Sequence, residues 1–171
     1  MSSEPVPPGD DAVASVAAYV GVGANLGDRE ATIAAALQAL ARLESTRLVR
    51  ASGFFRSDSI GSDGPDYLNA VVLLETALAP QRLLGALHEI ERAHGRERSY
   101  QNAPRTLDLD LLLYGELQCS TAELTLPHPR LHERAFVLLP LAEIAPALVV
   151  PGRGAVADLL PAVADQRIDR L

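Results

Sequence analysis

The chain has 171 residues, is 48% hydrophobic and carries a net charge of −7. That composition suits one soluble globular domain and argues against a general nucleic-acid binder, which would present a basic face. All 15 basic residues are Arg, so a Walker-type phosphate loop and a protein-kinase site, both of which need a Lys, are excluded.

Residues 1–14 are rich in Pro, Ser, Gly and Asp and read as a disordered tail, leaving residues 15–171 as a single domain. The tail has neither the basic nor the apolar segment of a signal peptide. Ala17 to Gly23 reads as a buried strand that ends in a tight glycine turn over Gly21–Gly27, near the site, to which Asn25 can contribute. Asp28 can cap a helix in which Ile33, Leu37, Leu40 and Leu43 recur at helical spacing. Thr46 to Arg56 is a strand, Gly61, Gly64 and Pro65 mark a loop, and Tyr67 to Thr76 is the next strand. Pro80 opens a helix with the stripe Leu83, Leu84, Leu87 and Ile90, which Gly95 ends. An Arg-rich loop over 96–104 leads to a strand from Thr106 to Tyr114. Residues 117–126 can add a hairpin arm, and short helices are expected around Ala135–Ile144 and Val156–Val163. The apolar run from Phe136 to Val150 is broken by Pro140, Glu143 and Pro146, too short and interrupted to span a bilayer. The lone Cys119 makes a disulfide framework unexpected, so a cytoplasmic setting fits. The order β-α-β-β-α-β is the split pattern of ferredoxin-like folds: an α+β sandwich with a mostly antiparallel sheet, helices on one face, an added hairpin arm and short C-terminal helices.

The segment with most chemical content is Pro104-Arg105-Thr106-Leu107-Asp108-Leu109-Asp110-Leu111-Leu112-Leu113-Tyr114. Alternation along a strand puts Asp108 and Asp110 on one face, about 7 Å apart, and Leu107, Leu109, Leu111 and Leu113 on the other. Two like charges so close on an apolar strand favour a cation between them, and Mg²⁺ suits one or two carboxylates completed by water and phosphate. Arg96, Arg98 and Arg105 lie in the preceding loop, where planar guanidinium forks can clamp phosphate. Pro127-His128-Pro129-Arg130-Leu131-His132-Glu133-Arg134-Ala135-Phe136 adds His128 and Arg134 as phosphate-type donors. Tyr67 and Asn69 open a strand with one aromatic face and one amide, which can read the edge of a heterocycle. Each piece alone also has an ordinary structural reading: a solvated strand face, an exposed charged loop, a rigid proline turn, a core Tyr beside a capping Asn.

Taken together and in order, YVGVGANLGDR, FRSDSIGSDGPDYLNAVV, APRTLDLDLLLYG and LPHPRLHERAFVLLPLAEIAP resemble the 6-hydroxymethyl-7,8-dihydropterin pyrophosphokinase family from Tyr19 to Pro161. The resemblance implies that the pterin hydroxymethyl oxygen attacks the β-phosphorus of ATP and releases AMP, a step of folate biosynthesis. It implies that Asp108 and Asp110 bind two Mg²⁺, and that Arg96 and Arg105 assist transfer from a lid loop. Arg98, His128 and Arg134 would bind phosphates. Leu84, His88, Glu91 and Leu111 would lie near the adenosine. Tyr67 and Phe136 would sandwich the pterin, whose polar edge would meet Asn69 and the backbone around Ser57, Asp58 and Ile60. The chain departs from parts of the pattern. Its lid loop is short and lacks a Trp carried by some members, Glu123 stands where some have a basic ATP contact, and His88 stands where an amide can occur.

Two other readings stand beside this one. A different two-metal enzyme, such as a nucleotidyl transferase or cyclase, would use the Asp pair without the Tyr67, Asn69 and Phe136 pocket. A non-catalytic ferredoxin-like module would show neither metal dependence nor ATP turnover. The expected partners are ATP and the pterin, with no nucleic acid and no membrane, and the chain is expected to act as a monomer.

Overall fold

A computed structural model describes residues 14–25, 27–58, 66–94 and 107–171. The expected N-terminal tail up to residue 13, Ile60 and the Arg-rich loop with Gly95, Arg96, Arg98 and Arg105 lie outside the described residues.

The strands are β1 (Val16–Ala24), β2 (Thr46–Ala51), β3 (Phe55–Ser57), β4 (Tyr67–Thr76) and β5 (Asp108–Tyr114), with helices α1 (Arg29–Ala41) after β1 and α2 (Pro80–Ala93) after β4. Then come β6 (Cys119–Ser120), β7 (Thr125–Leu126), α3 (Ala135–Ile144), β8 (Val149–Val150), β9 (Gly154–Ala155), α4 (Val156–Leu159) and β10 (Ile168–Arg170). The main sheet runs β10-β3-β4-β1-β5, with β2 also paired to β4, and each of its pairings is antiparallel. The fold is thus mixed α and β with a mostly antiparallel sheet, and β6 and β7 form the small hairpin expected over 117–126.

Local chemistry accounts for the helix starts. Asp28 accepts the Ala31 N–H at 3.1 Å, a side-chain cap. Pro80 occupies the first turn of α2, where its missing N–H costs nothing. Leu83, Leu87 and Ile90 of that helix are buried, as the stripe requires, while Leu84 is half-buried.

Three expectations are corrected. The strand expected over 46–56 is two strands. It bulges between Leu48 and Arg50 and breaks at Ser52, whose N–H donates to Val71 O and whose Oγ accepts the Val71 N–H, each at 2.9 Å. The helices are not on one face. Helices α1 and α2 cover Ala18, Val20, Val22, Leu68, Val72, Leu74, Leu107, Leu109 and Leu111, while α3 and α4 cover Tyr19, Val71, Leu112 and Leu113 on the other side. Leu113 therefore leaves the face of Leu107, Leu109 and Leu111. The β1–β5 register shifts between Tyr19 and Val20, an irregularity that breaks the two-residue period.

Among the described residues, no helix is long and apolar enough to cross a membrane.

Candidate active site

The pocket begins with two missing side chains. On β1, Tyr19, Gly21 and Gly23 share the face covered by α3. Gly21 is in register with Asp110 on one side and Val71 on the other, and Gly23 with Asp108 and Asn69. Helix α3 packs over Tyr19, Val71 and Leu112, but Gly21 and Gly23 contribute no side chain to this face. A pocket opens there, lined by Gly21, Gly23, Asn69, Asp108, Asp110 and Phe136 among others. Gly21 and Gly23 are thus strand residues flooring the pocket, not part of the turn expected over 21–27. The period-two spacing of the glycines is the signal that distinguishes the two. A Cβ on Gly23 would touch Asn69 Oδ1 at 3.4 Å and Tyr67 Cδ1 at 3.7 Å, ordinary contacts that place Gly23 directly beside both side chains.

Asp108 and Asp110 are both half-buried and face the pocket, while Leu109 between them is buried in the opposite core. The strand face therefore matches the expected carboxylate pair. No group of three or more His, Cys, Asp or Glu side chains forms a metal cage among the described residues. Two hard oxygen donors beside open space suit Mg²⁺, which keeps waters and phosphate oxygens as its other ligands.

Asn69 is buried, and its Nδ2 donates to Ser57 Oγ at 2.8 Å and to Phe55 O at 3.3 Å. Those bonds fix the amide plane and leave Oδ1 on the Gly23 side, an acceptor placed for an N–H of a ligand. The Ser57 side chain is thus bonded to Asn69. Tyr67 stands beside Gly23, two residues from Asn69 on the same strand face. Asp58 is exposed just beyond β3.

His128 and Arg134 join the carboxylates from the segment that leads into α3. The His128 N–H donates to Leu112 O at 2.9 Å, which ties this segment to β5. Its imidazole pKa is held down to about 4, mainly by burial and then by the Arg134 charge, with Asp108 opposing. Nδ1 accepts the Arg130 N–H at 3.1 Å, so the neutral ring carries its proton on Nε2 and offers one donor. Arg134 lies 5.3 Å from the Phe136 ring centroid. Burial lowers its pKa first, with Asp110 and Asp108 among the charges that oppose the shift. Its charge survives, because a guanidinium stays protonated throughout the ordinary range.

The His128 shift has a consequence for the ligand-free, metal-free protein. The unfolded imidazole takes up a proton near its ordinary 6.5, the folded one only near 4. Between those values the unfolded state binds more protons, so the His128 contribution to stability is complete above about 6.5 and drains away as pH falls toward about 4. Tm measured against pH should fall less steeply through that window in His128→Asn than in the parent. Parallel curves would contradict the assignment.

The residues expected around the adenosine divide. Leu84 is half-buried and His88 exposed on α2. Leu111 is buried in the core, and Glu91, 2% exposed, accepts the Leu109 N–H at 2.7 Å. Glu91 thus holds α2 to β5 behind the Asp pair. Glu123 is exposed between β6 and β7. Sequence reasoning misses Gln166, which braces the start of α3, and β10, which extends the sheet beside β3.

The sequence pattern of the 7,8-dihydro-6-hydroxymethylpterin-pyrophosphokinase family matches residues 19–146. The chain is 42% identical over 157 residues to 2-amino-4-hydroxy-6-hydroxymethyldihydropteridine pyrophosphokinase of Haemophilus influenzae, covering 91% of this chain and 98% of that protein. It is 46% identical over 154 residues to the Pseudomonas aeruginosa protein of the same name, covering 90% and 95%. Among solved structures it is similar to an HPPK-DHPS in complex with substrates, with a TM-score of 0.67 and 13% identity over 87% of this chain and 43% of that one. A Plasmodium falciparum HPPK-DHPS with pterin and p-hydroxybenzoate gives a TM-score of 0.67 and 11% identity over 86% and 43%. The chain spans less than half the length of those two solved chains, and at such identities they speak for the fold.

Proposed function

The chain belongs to the 7,8-dihydro-6-hydroxymethylpterin-pyrophosphokinase family, and from that premise we propose which of its residues carry the reaction. It is an ATP-dependent pyrophosphokinase of folate biosynthesis. The reaction joins the hydroxymethyl oxygen of 6-hydroxymethyl-7,8-dihydropterin to the β-phosphorus of ATP and releases AMP.

The observation that carries the assignment is the pairing of Asp108 and Asp110 with Gly23 and Gly21 across β1, with Asn69 on the far side of Gly23. Carboxylates for a metal–phosphate centre and an amide for a heterocycle thereby share one floor without side chains. Asp108 and Asp110 would hold two Mg²⁺, which when bound supply charge neutralisation on the triphosphate and the attacking oxygen. The rest falls to the chain itself. Asn69 Oδ1 accepts from the pterin edge, and backbone around Ser57, Asp58 and Ile60 completes that edge. Phe136 and Tyr67 hold the ring between them and orient its hydroxymethyl group. His128 Nε2–H and Arg134 bind phosphate oxygens, Arg134 from a partly buried position where its charge is poorly screened by solvent. Arg96, Arg98 and Arg105 are assigned to the triphosphate on the family resemblance. Leu84 and His88 take the adenosine on the surface of α2, and Glu91 and Leu111 support them from within.

With β2 and β3, which both pair with β4, counted as one interrupted strand, the connectivity is β-α-β-β-α-β, and this together with the strand order supports a ferredoxin-like reading of the sheet. A single domain over residues 15–171, acting as a monomer in the cytoplasm, completes the proposal.

With ATP, Mg²⁺ and the hydroxymethyl-dihydropterin, AMP and pterin diphosphate should form in equal amounts. Release of inorganic pyrophosphate instead would move the chain to the nucleotidyl transferases. Absence of turnover would favour a binding module.

A further inference from the structure

Helix α3 starts without a cap of its own. The position before Ala135 is Arg134, where a helix start favours Ser, Thr, Asp or Asn. Arg134 cannot serve, because a guanidinium has only donors and cannot accept a backbone N–H; its side chain lies near the Phe136 ring instead. Ala135 is nonetheless 2% exposed, and a buried N–H needs a partner.

That partner comes from the far end of the chain. Gln166 Oε1 accepts the Ala135 N–H at 2.9 Å, and Gln166 Nε2 donates to Glu133 O at 2.7 Å. The two groups belong to the peptide planes on either side of Arg134, whose rotations define its φ of −123° and ψ of 112°. One amide thus grips both hinges of the residue whose guanidinium lies near Phe136, a lining residue of the pocket. Gln166 is itself set in place. Its N–H donates to Val163 O at 3.0 Å, and β10 follows at once, pairing Ile168 with Ser57 and Arg170 with Phe55. Residues 147–171 lie outside the span matched by the family pattern.

We infer that Gln166 is a positioning residue: its side-chain amide substitutes for the missing helix cap and holds Arg134 in the orientation that phosphate binding needs. The inference rests on the reading of Arg134 as a phosphate ligand. Gln166 is exposed as a whole, so water competes for its amide and the effect is modest in size.

A double-mutant cycle tests it, with kcat/KM for ATP as the readout and folding checked by circular dichroism and Tm. Gln166→Ala should lower kcat/KM by roughly three- to tenfold, the scale of one or two net hydrogen bonds. In an Arg134→Ala background the same change should have almost no further effect, because there is no guanidinium left to place. A purely structural Gln166 would give losses that multiply, and that result overturns the inference. If Arg134→Ala lowers kcat/KM while Gln166→Ala leaves it within twofold of the parent, the inference fails and the phosphate role of Arg134 stands. If Arg134→Ala has no effect, the reading of Arg134 itself is wrong and the inference falls with it. Should Gln166→Ala not fold, Gln166→Glu, which keeps the acceptor for Ala135 but loses the donor to Glu133, carries the same cycle.

Discussion

Replacing Asp108 or Asp110 with Ala is expected to reduce turnover by about 10³-fold or more while leaving the protein folded. The size follows from the chemistry these carboxylates support. Charge stabilisation by a bound metal supplies several kcal/mol of transition-state stabilisation, and each 1.36 kcal/mol is about tenfold in rate. The survival of the fold follows from β5. Both carboxylates face the pocket and are half-buried, whereas the core is held by Leu107, Leu109 and Leu111 on the reverse face. Removing one of two neighbouring like charges relieves repulsion, so Tm should move by only a few degrees. Asp110→Asn separates charge from shape. It keeps the side-chain volume but should still lose most of the rate, with half-saturating Mg²⁺ shifted upward in whatever activity is left. Near-parental kcat at saturating Mg²⁺ in any of these variants would end the metal assignment.

The same strand shows where sequence reading works and where it stops. Alternation locates the Asp pair correctly because side chains on regular β-structure must alternate. It fails at Leu113, because the irregularity there belongs to the pairing of two strands, Tyr19–Val20 against Leu111–Leu113, and a register is not encoded in one strand alone. Gly21 and Gly23 mislead for a related reason. Local propensity assigns closely spaced glycines to a turn, but β1 keeps them in a strand because each is paired on both sides, Gly21 with Val71 and Asp110 and Gly23 with Asn69 and Asp108. Helix α3 is apolar almost all round, so its composition does not reveal which sheet face it covers, and an expectation of helices on one side has nothing to correct it. Strand β10 is Ile168-Asp169-Arg170, with two of its three residues charged and exposed; nothing in such a triplet signals a strand until β3 is there to receive it. Glu91 fits the same pattern. Its place on α2 is legible, but its buried bond to the Leu109 N–H depends on a contact between distant segments.

Phe136→Ala is expected to weaken pterin binding by tenfold or more, and Tyr67→Ala by a similar factor, with smaller effects on ATP. Stacking contributes about 0.5–1.5 kcal/mol beyond the apolar area buried, which together amounts to at least one factor of ten. The two rings are held differently, and the variants should differ accordingly. Phe136 lines the pocket from α3 and carries Arg134 near its ring at 5.3 Å. Removing the ring leaves that guanidinium without its aromatic support, so Phe136→Ala should also weaken ATP binding, by severalfold at most. Tyr67 stands on β4 beside Gly23, on a different element from Arg134, and Tyr67→Ala should leave ATP affinity within about twofold. Tyr67→Phe keeps the aromatic face and should bind pterin like the parent, whereas Phe136→Leu keeps apolar volume without the π-face and should not. Calorimetry with the pterin in the presence of Mg²⁺ and a non-hydrolysable ATP analogue measures each affinity directly. Unchanged pterin affinity in both Ala variants would remove the aromatic sandwich and leave Asn69 Oδ1 as the pocket's means of recognising the ring. Equal losses for ATP and pterin in Tyr67→Ala would instead point to a collapse of the start of β4.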